Sequence, residues 1–99
     1  MGKSKNQNLW CLYVLSCINC YLYIGITNNL KKRLTAHEKG TGSKFVRSHR
    51  PFKLLKAVYC KDASEARRLE CSLKKLKRRD KFEALGIEYF EVRRKPPLL

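Results

Sequence analysis

Residues Leu9 to Ile26 read LWCLYVLSCINCYLYIGI: two short runs of Tyr, Val, Ile and Leu, Leu9–Ser16 and Tyr21–Ile26, on either side of Cys17-Ile-Asn-Cys20. Runs of this length, rich in aromatic and β-branched residues and joined by a short link, predict a β-hairpin. A three-residue loop over Cys17–Asn19 would give Asn19 the left-handed position that closes such loops and set Tyr13 opposite Tyr23 on one face of the sheet. A loop of even length would put the two tyrosines on opposite faces. Gly25 ends the second run, where a glycine marks either a plain strand end or the close approach of another backbone or a ligand.

Outward from the hairpin, Asn28 or Asn29 caps a helix running to about Lys39, with Gly40 as its stop. At 3.6 residues per turn Leu30, Arg33, Leu34 and His37 share one face, so Arg33 and His37 stand one turn apart beside two leucines. Gly40–Pro51 (GTGSKFVRSHRP) reads as a basic loop suited to following a phosphate backbone, with Phe45 packed inward because a lone aromatic is usually core. Phe52–Cys60 is a third strand. Asp62-Ala-Ser-Glu65 is a capping box that opens a second helix running to about Arg78, with Ala66, Leu69, Leu73 and Leu76 as its apolar stripe and Glu70 at the stripe's edge. A short helix follows near Lys81–Leu85. The expected fold is α+β, a three-stranded antiparallel sheet flanked by helices. It occupies residues 9–85, between a disordered tail (1–8) and a C-terminal extension (86–99).

Lys and Arg number 23 against 8 Asp and Glu, giving +15 over 99 residues. One domain of this size carries that charge most naturally beside a polyanion, and nucleic acid is the natural partner. No run approaches the 18 or so apolar residues of a membrane span, and the polar start Met1–Asn8 lacks the apolar region of a signal peptide, so no membrane partner and an intracellular protein, cytoplasmic or nuclear, are expected. Five cysteines, an odd count, fit a reducing compartment. Cys17 and Cys20 have the spacing of half a zinc site, but Cys60 and Cys71 supply no second close pair, which favours reduced thiols.

Read in order, Cys11-Leu12-Tyr13, Tyr23-Ile24-Gly25, Thr27, Asn29, Arg33, His37 and Glu70 resemble the GIY-YIG nuclease superfamily, over roughly Trp10–Lys81. The second motif is intact, whereas Cys11-Leu12-Tyr13 keeps only the tyrosine of the first. The Asn that some members carry about three helical turns after the glutamate has no counterpart near Phe82. The resemblance implies an endonuclease acting on DNA with one divalent cation, Mg²⁺ or Mn²⁺, held by Glu70. It further implies a water activated by Tyr23 with help from Tyr13 or His37, and Arg33 on the scissile phosphate.

Each role has independent chemical sense. A hard cation on one carboxylate, with positions left for water and phosphate, stabilises the charge that develops as a phosphodiester is cut. A phenol with its ordinary pKa near 10 is a poor base, so Tyr23 needs cationic neighbours, whereas His37 has a suitable pKa without them; the sequence leaves both open. The planar fork of Arg33 matches two phosphate oxygens. Lys31, Lys32, Lys44, Arg47, Arg50, Arg67, Lys74 and Lys77 are the expected backbone contacts, and Gly25 and Asn29 are structural. DNA is the expected partner with RNA as the alternative. A non-catalytic nucleic-acid-binding module and a nuclease subunit that needs a partner chain are the competing readings.

Overall fold

The apolar run at the start of the hairpin becomes the middle of the sheet. In a computed structural model, which describes residues 9–87, β1 (Trp10–Ser16) lies between β2 (Leu22–Thr27) and β3 (Lys53–Cys60), antiparallel to both. A strand covered on both faces has no solvent side to alternate towards, so every residue from Cys11 to Ser16 is buried. Burying each of Leu12, Val14 and Leu15 contributes about 1.5–3 kcal/mol. The tail 1–8 and most of the extension 86–99 lie outside the described residues.

The two faces of the sheet build two clusters. Leu12, Val14 and Ile24 pack with Leu73 of α3 (Ala63–Lys74), with Phe82 and Leu85 of α4 (Arg78–Leu85), and with Ile87 just beyond it. Tyr13, Leu15, Cys17 and Val46 form the other cluster, joined by Tyr23, Leu30, Leu34 and Phe52 and covered by α1 (Leu30–Lys39) and α2 (Lys44–Ser48). Between Val14 and Leu15 the β1–β3 register shifts, Val14 facing Lys56 and Leu15 facing Leu54, so Leu55 is the extra residue of a bulge.

The hairpin differs from expectation in length and keeps its parity. Ser16 faces Leu22, so five residues connect the strands, and a single 3-10 turn spans Ile18–Cys20. Asn19 takes a left-handed φ of 61°, and Cys20 takes one of 64° as well. Lengthening the loop by two residues moves Tyr13 from Tyr23 to Gly25 as its direct partner, while Tyr23 pairs with Leu15. Both odd lengths keep the two tyrosines on one face.

The helix ends are capped by the groups the sequence offers. The Asn29 side chain accepts from the Lys32 amide at 3.0 Å, and its own amide donates to the Thr27 hydroxyl at 3.0 Å. Asp62 accepts from the Glu65 amide at 2.9 Å, and Glu65 accepts from the Lys61 amide at 2.7 Å. The expected loop after Gly40 contains α2, opened by the Ser43 side chain, which accepts from the Val46 amide at 3.2 Å. The helix expected to reach Arg78 stops at Lys74, and a new one begins at Arg78. This break turns Phe82 and Leu85 into the core and brings the Arg78 guanidinium to the Cys20 carbonyl at 2.6 Å. Among the described residues no helix is long and apolar enough to cross a membrane.

Candidate active site

Tyr13 rises from the central strand between Tyr23 and His37. Its ring crosses its strand partner Gly25 so closely that a Cβ there would stand 2.7 Å from the hydroxyl oxygen and 2.8 Å from Cζ. Only glycine leaves that room. The Tyr13 hydroxyl and His37 Nε2 share a buried hydrogen bond of 2.8 Å. The Tyr23 ring lies 6.2 Å from Tyr13 and edge-on to His37 at 5.5 Å, closing a three-ring cluster.

Burial divides the roles within this cluster. Tyr13 and His37 are shut away from water, whereas Tyr23 is half-buried and Arg33 is exposed. Burial, reinforced by the neighbouring Tyr23 phenol and opposed by Arg33, raises the Tyr13 pKa well above its ordinary value of 10.0. Burial and then the positive charge of Arg33 lower that of His37. Both groups are therefore neutral near pH 7, and Tyr23 is the member of the trio that reaches the surface. His37 Nδ1 has no hydrogen-bond partner among the described residues and abuts Gly42, where a Cβ would stand 2.5 Å away.

His37 and Arg33 stand one turn apart on α1, His37 buried and Arg33 at the surface, and the field of Arg33 reaches both buried rings. Glu70 is placed differently. It sits on α3, whose leucines pack on the face of the sheet opposite Tyr13, and its Oε2 is paired with Lys74 Nζ at 3.0 Å. Among the described residues no hydrogen bond or ion pair joins it to the tyrosine cluster. Its side chain is 20% exposed, so one hard carboxylate oxygen remains beside the Lys74 pair. A lone carboxylate of this kind fits a hydrated divalent cation that takes its other ligands from water and phosphate. No group of three or more His, Cys, Asp or Glu capable of enclosing a metal occurs among the described residues, and all five cysteines are free thiols.

The eight expected backbone contacts, Lys31, Lys32, Lys44, Arg47, Arg50, Arg67, Lys74 and Lys77, are all exposed, and two of them are engaged, Lys74 with Glu70 and Arg50 with backbone carbonyls. Arg50 stitches the α1–α2 segment together, donating to the Glu38 carbonyl at 2.8 Å and the Arg47 carbonyl at 3.2 Å. Charge is unevenly spread: residues 9–61 carry ten Lys and Arg against the single carboxylate of Glu38, while residues 62–87 carry eight against five. Seven of those ten, Lys31, Lys32, Arg33, Lys39, Lys44, Arg47 and Arg50, lie on the α1–α2 segment that covers the Tyr13 cluster, with Glu38 as its single carboxylate.

Phe45 departs from the inward packing expected of it. It is 36% exposed and lies between two other rings, stacked on His49 at 4.1 Å and on Tyr23 at 5.9 Å. Two of its aromatic neighbours, Tyr21 and Tyr23, come from β2 and the turn before it and lie outside the segment GTGSKFVRSHRP. Tyr21, His49 and Gly42 also border the cluster and carry no motif of their own in the sequence. The i, i+4 spacing of Phe45 and His49 was the available signal once the segment is helical.

Comparison with known proteins places these features in a family. The chain matches the model of the GIY-YIG catalytic domain over residues 9–83. It is 39% identical over 88 residues to a UPF0213 protein of Xanthomonas axonopodis pv. citri, covering 89% of this chain and 86% of that one. A UPF0213 protein of Nitratidesulfovibrio vulgaris is 37% identical over 75 residues, 76% of this chain and 68% of the relative. The solution NMR structure of a UPF0213 protein from Bacillus halodurans superposes with a TM-score of 0.55 at 29% identity, covering 92% of this chain and 99% of that one. Sequence order, sheet topology and these matches agree that the chain belongs to the GIY-YIG family, a nuclease-type family.

Proposed function

We propose that this protein is a divalent-metal-dependent endonuclease that hydrolyses phosphodiester bonds in DNA. The observation that carries the reading is the neutral Tyr13–His37 pair buried behind a half-exposed Tyr23, with Arg33 at the surface beside it. His37 has no route to bulk water and its Nε2 is occupied by Tyr13, so Tyr23 takes the role of base. The Tyr23 hydroxyl takes a proton from the attacking water and releases its own to solvent as the new P–O bond forms and the bond to the leaving sugar oxygen breaks, the leaving oxygen acquiring a proton from solvent. Tyr13 and His37 hold the Tyr23 ring in place, and Arg33 donates to the non-bridging phosphate oxygens.

GIY-YIG nucleases are generally metal-dependent, and Glu70 is the residue that would hold the cation. When bound, Mg²⁺ or Mn²⁺ supplies charge stabilisation at the phosphate and leaving oxygen. The +15 charge supports a nucleic-acid substrate. The test is nicking of plasmid and branched DNA, with Mg²⁺ or Mn²⁺ present, by wild type and by Glu70→Ala. Loss of nicking in the variant is the expected result, and equal activity in both proteins overturns the reading. The Glu70–Lys74 pair favours a second reading, a module that binds nucleic acid without cutting it. Salt-sensitive binding that survives Glu70→Ala, with no cleavage in any divalent metal, supports that alternative.

A further inference from the structure

Tyr21, Phe45 and His49 form a continuous aromatic surface next to Tyr23. Phe45 and His49 stack with their planes 13° apart, and Tyr21 meets both edge-on, at 4.9 Å from His49 and 6.0 Å from Phe45. The arrangement is held rigidly. His49 Nδ1 donates to the Phe45 carbonyl at 2.7 Å, and the Ile18 amide donates to the His49 carbonyl at 2.9 Å, tying the end of α2 to the hairpin turn. Yet Tyr21 is 48% exposed and Phe45 36%. Four rings are thus fixed in relation to one another while two of them still face water, and burial of the cluster does not account for that.

The surroundings select what covers these rings. The segment that bears Phe45 and His49, residues 39–52, carries four Lys and Arg and no Asp or Glu, with Lys44 and Arg47 on the helix of Phe45 itself. Apolar rings framed by unopposed cations suit a ligand that alternates planar π-faces with negative charge, which describes a DNA strand whose bases are unpaired. In a duplex the base faces are already stacked on one another and only phosphates remain for the cations. We propose that Tyr21, braced edge-on by the stacked pair of Phe45 and His49, offers its exposed ring as a stacking platform for an unpaired base of DNA. The contact of Phe45 with Tyr23 puts that base beside the site of cleavage, so the substrate is a single strand or a junction with an unpaired nucleotide. This rests on the nuclease reading only for the term substrate; the binding itself does not require hydrolysis.

The experiment reads binding without divalent metal, in EDTA, by fluorescence anisotropy at fixed salt. The probes are an oligothymidylate, a strand of the same length and charge whose central nucleotides are abasic, and a duplex. Wild type is expected to bind oligothymidylate about tenfold or more above the abasic strand, the scale of base–aromatic stacking. Tyr21→Ala and Phe45→Leu should each reduce that ratio, and together bring it close to one, with affinity for the abasic strand and its salt dependence unchanged. A wild type that binds the abasic strand as tightly overturns the platform without recourse to any variant. So does a folded double variant that keeps the ratio. Because no cleavage is measured, a protein that fails to nick DNA but shows the ratio keeps the platform and loses only the nuclease reading.

Discussion

The Tyr13 hydroxyl meets His37 Nε2 at 2.8 Å in a setting from which water is excluded, and this one contact joins the central strand to α1. It also separates two tyrosines that look equivalent as residue types. Tyr13→Phe leaves a buried imidazole nitrogen unpaired, at a cost of about 1–3 kcal/mol, and should lower the urea midpoint measurably. Tyr23→Phe keeps the half-buried ring and removes the proposed base, so stability should stay within about 0.5 kcal/mol of wild type while nicking falls by about 10²–10⁴-fold. A Tyr23→Phe protein that nicks DNA at the wild-type rate would exclude the phenol as base.

His37 gives this fold a pH dependence of definite sign. Burial and Arg33 hold its folded pKa below the ordinary 6.5, so in the window between the two values the unfolded chain binds more protons than the folded one. Stability from this residue is complete above about pH 6.5 and is lost as pH falls towards the folded value. Urea unfolding at pH 7.5 and pH 5.5 should show a drop in wild type that is smaller in His37→Gln, whose side chain does not titrate. Equal drops in the two proteins would mean that His37 is protonated in the folded state.

Gly25 should be intolerant of even one added methyl. Its Cβ would meet Tyr13, a ring enclosed by Tyr23, His37 and the strand itself, so relief requires moving buried groups. Gly25→Ala is expected to cost about 1–3 kcal/mol, the range for overpacking a closed site, and to reduce nicking as well by displacing Tyr23. Wild-type stability in this variant, by urea denaturation, would show that the Tyr13 ring can move freely.

Much of this was legible in the sequence, and what was not has physical causes. The sheet follows from strand composition, and the shared face of Tyr13 and Tyr23 follows from parity, which survives any error of two residues in loop length. The register itself does not, because Cys20, a residue with no preference for it, takes a left-handed φ beside Asn19. Helix α2 is hidden because five residues with one serine cap carry too little periodicity to stand out from a glycine-rich loop. The end of α3 is hidden because Lys74–Lys81 holds six cations around a single Leu and a single Asp; the break is set by where Phe82 and Leu85 must go to reach the core. Residue identities suggested which groups make up the Tyr13 cluster, while burial, which assigns their different roles, depends on packing between segments.

Arg33 offers the most discriminating test of how the surface meets its ligand. The side chain is exposed, with no ion pair among the described residues, so its replacement has little to disturb in the fold. Arg33→Lys keeps the positive charge that lowers the pKa of both buried rings and removes only the planar fork of donors. If Arg33 bridges two oxygens of the scissile phosphate in the transition state, kcat should fall by about 10–100-fold while DNA affinity and the urea midpoint barely change. If its part is general attraction for the strand, Lys should serve equally well, and only Arg33→Ala should weaken binding, with a shallower salt dependence. Single-turnover nicking together with salt-dependent binding separates the two cases. Full activity in Arg33→Lys would move the phosphate contact to another residue on the same cationic segment.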